Sequence, residues 1–113
     1  MKKIEAFVRP ERLDAVRRAL AQTGHRSLIH YAVWYRGTEP EINRHQAEVA
    51  VPLYEFMPKV RVELVVEDNA VRQVADALSD SAYTGHTGDG KIFVLPVEEA
   101  IRIQTKETGD LVL

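Results

Sequence analysis

The chain has 113 residues, 45% of them hydrophobic and 28% charged, the balance of one ordinary folded domain rather than of a disordered segment or two large units. Fifteen Lys and Arg against 17 Asp and Glu give a net charge of −2, so no basic excess draws the chain onto nucleic acid or anionic lipid. There is no cysteine, which removes disulfides, thiolate metal sites and cysteine nucleophiles together.

Met1-Lys2-Lys3-Ile4-Glu5 begins without an apolar signal core or cleavage site, and no apolar run approaches the roughly 20 residues of a membrane span; a cytoplasmic protein is expected. In residues 3–8, Ile4, Ala6 and Val8 alternate with Lys3, Glu5 and Phe7, the period of a strand with one face in a core. Pro10 and Glu11 suit the first turn of a helix, Leu13, Val16, Ala19 and Leu20 follow at helical spacing, and Gly24 supplies the stop. Residues 28–35 read as a second strand. Residues 36–55, of mixed charge with Pro40 and Pro52, are too long for an ordinary connection in so small a domain and read as a functional loop.

The grammar then repeats. Val62, Leu64 and Val66 alternate with Arg61, Glu63 and Val65, Asp68 is placed to cap, and Val71, Val74, Ala77 and Leu78 form a second helical stripe. Superposition at an offset of 58 residues puts Glu63 over Glu5, Val66 over Val8, Val74 over Val16 and Leu78 over Leu20. Residues 91–95 supply the last strand. Two copies of a βαβ unit predict an α+β, ferredoxin-like domain: a four-stranded antiparallel sheet with two helices on one face. Phe7, Val65 and Phe93 leave the other face apolar, and burial in a homo-oligomer is expected to cover it. In the tail, Ala100, Ile101 and Ile103 suggest a short edge strand.

The segment Thr84-Gly85-His86-Thr87-Gly88-Asp89-Gly90-Lys91 joins the second helix to the last strand. Three glycines let successive N–H groups face one concavity, which favours an anion, and Lys91 adds a point charge; on spacing alone a plain glycine turn is the rival reading. Gly85 to Lys91 also satisfies the first part of G-x-x-x-x-G-K. Ile92 stands where Ser or Thr would hold magnesium, and this loop opens a strand rather than a helix, so a Walker-type NTPase is excluded.

Three stretches carry a resemblance over nearly the whole chain. Met1-Lys2-Lys3-Ile4-Glu5-Ala6 with Arg9-Pro10 and Leu13-Asp14 is similar to the opening of the PII signal-transduction proteins. Phe56-Met57-Pro58-Lys59-Val60 is close to that family's F-L-P-K-V. Thr84-Gly85 followed by Gly88-Asp89-Gly90-Lys91-Ile92-Phe93-Val94 resembles its T-G-x-x-G-D-G-K-I-F-V signature. The resemblance implies a regulatory homotrimer rather than an enzyme, with adenine nucleotides, ATP, ADP or AMP, with or without Mg2+, in clefts between subunits. It implies that Gly88, Asp89, Gly90 and Lys91, in the phosphate loop 84–91, cradle phosphates. Arg102 and Gln104 belong to the C-terminal loop 102–113, and Ile29, Gly37, Thr38 and Val65 line the pocket. Residues 36–55 match the T-loop, through which such proteins touch a membrane transporter or metabolic enzyme, and residues 1–113 form one domain.

The chain also departs from the family. At the base of the loop, Tyr35-Arg36-Gly37-Thr38-Glu39 replaces G-F-G-R-Q. A carboxylate at Glu39 places charge near the position of 2-oxoglutarate, while Lys59, matching a lysine that pairs with that effector, is retained. Pro52 stands where many bacterial members carry the uridylylated tyrosine. Gln104 replaces a phosphate-facing arginine of R-I-R-T-G-E, so ADP or AMP is expected to compete well with ATP. These departures point to a divergent, PII-like member.

The remaining candidates carry less. His25, His30, His45 and His86 lack metal-ligand spacing, and His86 in the glycine loop could approach a nucleotide. Trp34 and Tyr35 are either a partner anchor or a strand-end packing contact. Glu5 and Glu63, related by the repeat, read as sheet-surface or subunit-contact residues, with no accompanying nucleophile or base. The competing functions are a ferredoxin-like trimer binding a divalent metal, in the manner of the structurally related copper-tolerance proteins, and a slow ATPase.

Overall fold

The computed structural model describes residues 1–36 and 56–113. Their four strands are β1 (Lys2–Val8), β2 (Ile29–Tyr35), β3 (Met57–Val66) and β4 (Lys91–Pro96), and their helices are α1 (Leu13–Gln22) and α2 (Val71–Ala82). The sheet order is β2-β3-β1-β4, with every neighbouring pair antiparallel. This is the ferredoxin-like α+β arrangement expected from the repeat.

The alternation in β1 and β3 explains why both helices share one face. Ile4, Ala6, Val8, Val60, Val62, Leu64 and Val66 point the same way and are buried with Val16 and Leu20 of α1 and Val74 and Leu78 of α2. Val16, Val74, Leu20 and Leu78, the pairs that the repeat superposes, are all fully enclosed. Each such side chain contributes about 1.5 to 3 kcal/mol through removal from water.

Helix entry follows local chemistry. Arg9 before Pro10 is extended, as the proline ring demands of its predecessor, and a 3-10 turn at Pro10–Arg12 leads into α1. After Thr23, Gly24 takes φ +87° and turns the chain toward β2. Arg12 then joins the two repeats, because its Nε and Nη2 donate to the Ser81 carbonyl at 2.9 and 2.6 Å. Arg12→Ala removes both bonds and leaves that carbonyl without its guanidinium. The expected loss is about 1 to 2 kcal/mol of stability, read from the midpoint of urea unfolding.

Two local expectations are corrected. Asp68 makes no side-chain cap to its turn; its carboxylate instead accepts from the N-terminal amine of Met1 at 2.8 Å, which holds its pKa below the usual range. The tail adds no edge strand of Ala100, Ile101 and Ile103. Ile101 forms a single bridge with Thr108, because the chain doubles back on itself through Lys106, a non-glycine residue at φ +64°. Among the described residues, no helix is long and apolar enough to cross a membrane.

The sheet face opposite the helices is apolar only in part. Phe7 packs edge-on against Phe93 at 6.2 Å and against Tyr35 at 5.2 Å, and Phe93 remains 47% exposed. Between these rings and Val65 runs a charged band. Arg61 pairs with Glu5 at 2.5 Å and Glu63 at 2.6 Å, and Lys3 approaches the same two carboxylates at 3.0 and 3.5 Å. Tyr31 donates to Glu63 at 3.0 Å, and the Arg61 guanidinium lies over the rings of Phe7 and Tyr31. Glu5 and Glu63 are therefore paired surface carboxylates, each held by cations, rather than an acid and base pair.

Candidate functional site

The glycine loop sits where β4 begins, beside the end of β1. Gly85, Gly88 and Gly90 all have positive φ. At Gly90, with φ +109°, a Cβ would lie 1.6 Å from the carbonyl oxygen of Phe7, so only glycine lets the loop lie against β1. A cleft of about 310 Å³ opens there, lined by Phe7, Val8, Ser79, Tyr83 and residues 89–92 among others.

An aspartate in a loop expected to favour anions would oppose that role unless its charge were satisfied from within. Asp89 is so satisfied. Its Oδ2 accepts from the backbone N–H of Thr84 at 2.8 Å and of Gly85 at 3.1 Å, while its Oδ1 accepts from the Thr84 hydroxyl and from Arg9 Nε at 3.0 Å. Burial opposes ionisation, but the bonds from Thr84, Arg9 and Gly85 outweigh it and hold the carboxyl far below the usual carboxylate range. Both oxygens are engaged in closing the loop, so this carboxylate organises the turn.

Arg9 also donates through Nη2 to the Thr87 carbonyl at 2.7 Å, and the buried Lys59 donates to the Gly88 carbonyl at 2.5 Å. Two cations thus hold carbonyl oxygens of the loop. Lys91 is exposed and has no hydrogen-bond or ion-pair partner among the described residues, so its charge is available at the cleft. His86 is exposed, and its N–H donates to the Thr84 hydroxyl at 3.2 Å. Arg9 is the residue that pattern reading missed as a site component. It is 80 positions from Asp89, and only its place in the Arg9-Pro10 match singled it out.

The other candidates lie elsewhere on the sheet. Strand register pairs Lys91 with Phe7 and Val60 with Val8, which places the glycine loop and Lys59 at one end of the face opposite the helices. Ile29 pairs with Glu63 and Val65 with Lys3, so both share this face: Val65 is nearer its other end, and Ile29 is midway, in the row of Glu5. At about 3.3 Å per residue along β1, Val65 is about 13 Å and Ile29 about 7 Å from the row of Phe7. Ile29 is 61% exposed.

The C-terminal segment leaves the sheet at the second end, where Val97 N–H donates to the Met1 carbonyl at 3.3 Å. There Arg102 donates to Glu107 at 2.6 Å and to the Leu111 carbonyl at 3.4 Å, and Gln104 is exposed. Among the described residues, no hydrogen bond or ion pair joins residues 98–113 to the glycine loop. Within one chain, the described candidate residues are therefore not all brought together. Gly37, Thr38, Glu39, His45, Pro52 and the expected role of the long segment lie outside the described residues. At its margins, Trp34 is 72% exposed, Tyr35 packs on Phe7, and Arg36 lies 5.7 Å over the Phe56 ring. No three His, Cys, Asp or Glu side chains gather as a metal site among the described residues.

Known proteins resemble the chain over nearly its whole length. The family model described as nitrogen regulatory protein P-II matches residues 1–107. The chain is 44% identical over 111 residues to nitrogen regulatory protein GlnK2 of Haloferax mediterranei, covering 96% of this chain and 88% of the relative. It is 42% identical over 113 residues to nitrogen regulatory protein P-II of Cereibacter sphaeroides, covering 97% of each. Against the protein of that name from Azospirillum brasilense the identity is 38% over 120 aligned positions, covering 96% of each.

Proposed function

Because the chain belongs to the P-II family of nitrogen regulatory proteins, we propose that it is a regulatory homotrimer, not an enzyme, that binds an adenine nucleotide between its subunits. In this reading residues 1–113 form one cytoplasmic domain, residues 84–91 form the phosphate loop, and residues 102–113 form the C-terminal loop. Residues 36–55 transmit the nucleotide state to a transporter or metabolic enzyme.

The observation that supports it is the separation of the candidate residues along one sheet face. Gly88, Gly90 and Lys91 offer an anion cradle at one end, Val65 is nearer the other with Ile29 midway, and the segment that carries Arg102 and Gln104 leaves the sheet at that other end. A second copy of the chain, laid across that face, brings the complementary residues to each loop. The phosphates then meet backbone N–H groups and Lys91, while Asp89, already satisfied by Arg9 and Thr84, adds little repulsion. Phosphate must compete with Glu107 for Arg102, which couples occupancy to the C-terminal loop.

Regulation carries one thermodynamic condition: the nucleotide shifts the loop only by as much as it prefers one loop state over another. Calorimetric titration of ATP, ADP and AMP, each with and without Mg2+ and 2-oxoglutarate, tests the reading. Binding of at least one nucleotide is expected, with ADP or AMP competing well against ATP because Gln104 stands where an arginine would face phosphate. Lys91→Ala is expected to weaken binding by about tenfold or more, the order of one charge-assisted contact. No binding by all three nucleotides overturns the proposal.

A further inference from the structure

We propose that the groove between α1 and the start of β2, which shares no lining residue with the cleft at the glycine loop of the same chain, is a separate site for a small polyanion bearing two or more carboxylate or phosphate groups. The groove encloses about 580 Å³, the size of a small-molecule site, and Arg17, Arg18, Arg26, His25 and His30 line it. Asp14 is the one carboxylate of that lining and approaches Arg17 at 3.7 Å. Arg18 and Arg26 are exposed and have no hydrogen-bond or ion-pair partner among the described residues. Three guanidinium groups therefore converge against one carboxylate in a chain whose net charge is −2.

The internal repeat shows that the scaffold does not require this charge. On α2, the positions equivalent to Arg17 and Arg18 are Ala75 and Asp76, yet the two helices pack on the same core and bury the same apolar positions. The groove is also organised. Gly24, with φ +87°, reverses the chain so that residues 25–30 return alongside α1, and Thr23 Oγ1 lies 3.2 Å from His25 Nδ1, fixing that ring. Leu28, half-buried, gives the groove an apolar floor. Planar guanidinium forks match the paired oxygens of carboxylate and phosphate, and a ligand bearing two such groups engages more than one fork at once. The inference does not depend on nucleotide binding.

The test is amide-resolved NMR of the full-length, isotope-labelled protein, titrated at constant ionic strength with citrate and, separately, with inorganic pyrophosphate. Saturable shifts centred on residues 17, 18, 25, 26 and 28 are expected for at least one probe, and the tighter arm assigns the carboxylate or phosphate class. The double variant Arg18→Gln/Arg26→Gln is expected to lose affinity by about tenfold or more. Arg26→Gln alone, in the connection rather than the helix, gives the same direction should the pair disturb α1. Arg72→Gln, on α2 and paired with exposed Asp76, is expected to bind as the parent does, which separates a built site from a general field effect. Shifts confined to residues 84–91, non-saturating drift, or undiminished affinity in the groove variants overturns the proposal.

Discussion

Gly90→Ala is expected to destabilise the protein by about 3 kcal/mol or more and to abolish the anion site in the same step. The cost has two sources. Alanine at φ +109° occupies a backbone region that L side chains rarely adopt, and its Cβ would meet the Phe7 carbonyl oxygen at 1.6 Å. That oxygen belongs to β1, in the middle of the sheet, so relief must come from displacing the loop or breaking the β1 and β4 pairing that begins at Lys91. A drop of about 10 °C or more in the thermal midpoint is expected, with loss of nucleotide heat in calorimetry. Gly24→Ala is the internal control. Its φ is +87°, but an added Cβ there meets nothing within 4 Å, so only the conformational cost of about 1 kcal/mol remains. Equal losses in the two variants would show that contact with β1 is not what makes Gly90 necessary.

The second large effect is the acid sensitivity of the loop. Asp89 is ionised in the folded protein far below the range where a free carboxyl protonates, because burial is outweighed by donors from Thr84, Arg9 and Gly85. A carboxyl whose folded pKa is depressed contributes stability that is fully present above its unfolded value, near 4, and is lost as pH falls toward the folded value. Stability should therefore decline progressively below about pH 4. Asp89→Asn replaces one oxygen by an NH2 group that faces either the two backbone donors or the Thr84 hydroxyl and Arg9. A loss of about 2 to 4 kcal/mol at neutral pH is expected, together with a flatter acid limb of the stability curve. The limb shrinks rather than vanishes, since Glu5, held by Lys3 and Arg61, and Asp68, held by the N-terminal amine, also have lowered pKa values. Urea unfolding of both proteins between pH 2 and pH 7 measures the difference, and parallel curves would refute the assignment.

Much of the architecture was legible as periodicity. Ile4, Ala6 and Val8 declare a half-buried strand because successive side chains point to opposite faces, and Leu13, Val16 and Leu20 declare a helical stripe. Their return after 58 residues announced the double βαβ unit, since one such unit cannot enclose its own apolar face. The glycine loop was equally readable as a tight turn before the last strand, because glycine density is a local property. Asp68 and Ile101 misled because each had a plausible local role, capping or edge pairing, that a distant or returning partner displaced.

What the residue string established on its own was the set of local preferences: two repeated strand and helix units, a glycine turn before the last strand, and three motifs of one family. Folding in three dimensions settled which distant groups meet. Arg9 reaches Asp89, Lys59 reaches the Gly88 carbonyl, and the Phe7 carbonyl makes Gly90 obligatory. It also placed Lys91 and Val65 toward opposite ends of one sheet face and gathered three arginines beside β2. None of these encounters has a period or a spacing, because strand register and packing bring together groups that the chain leaves far apart.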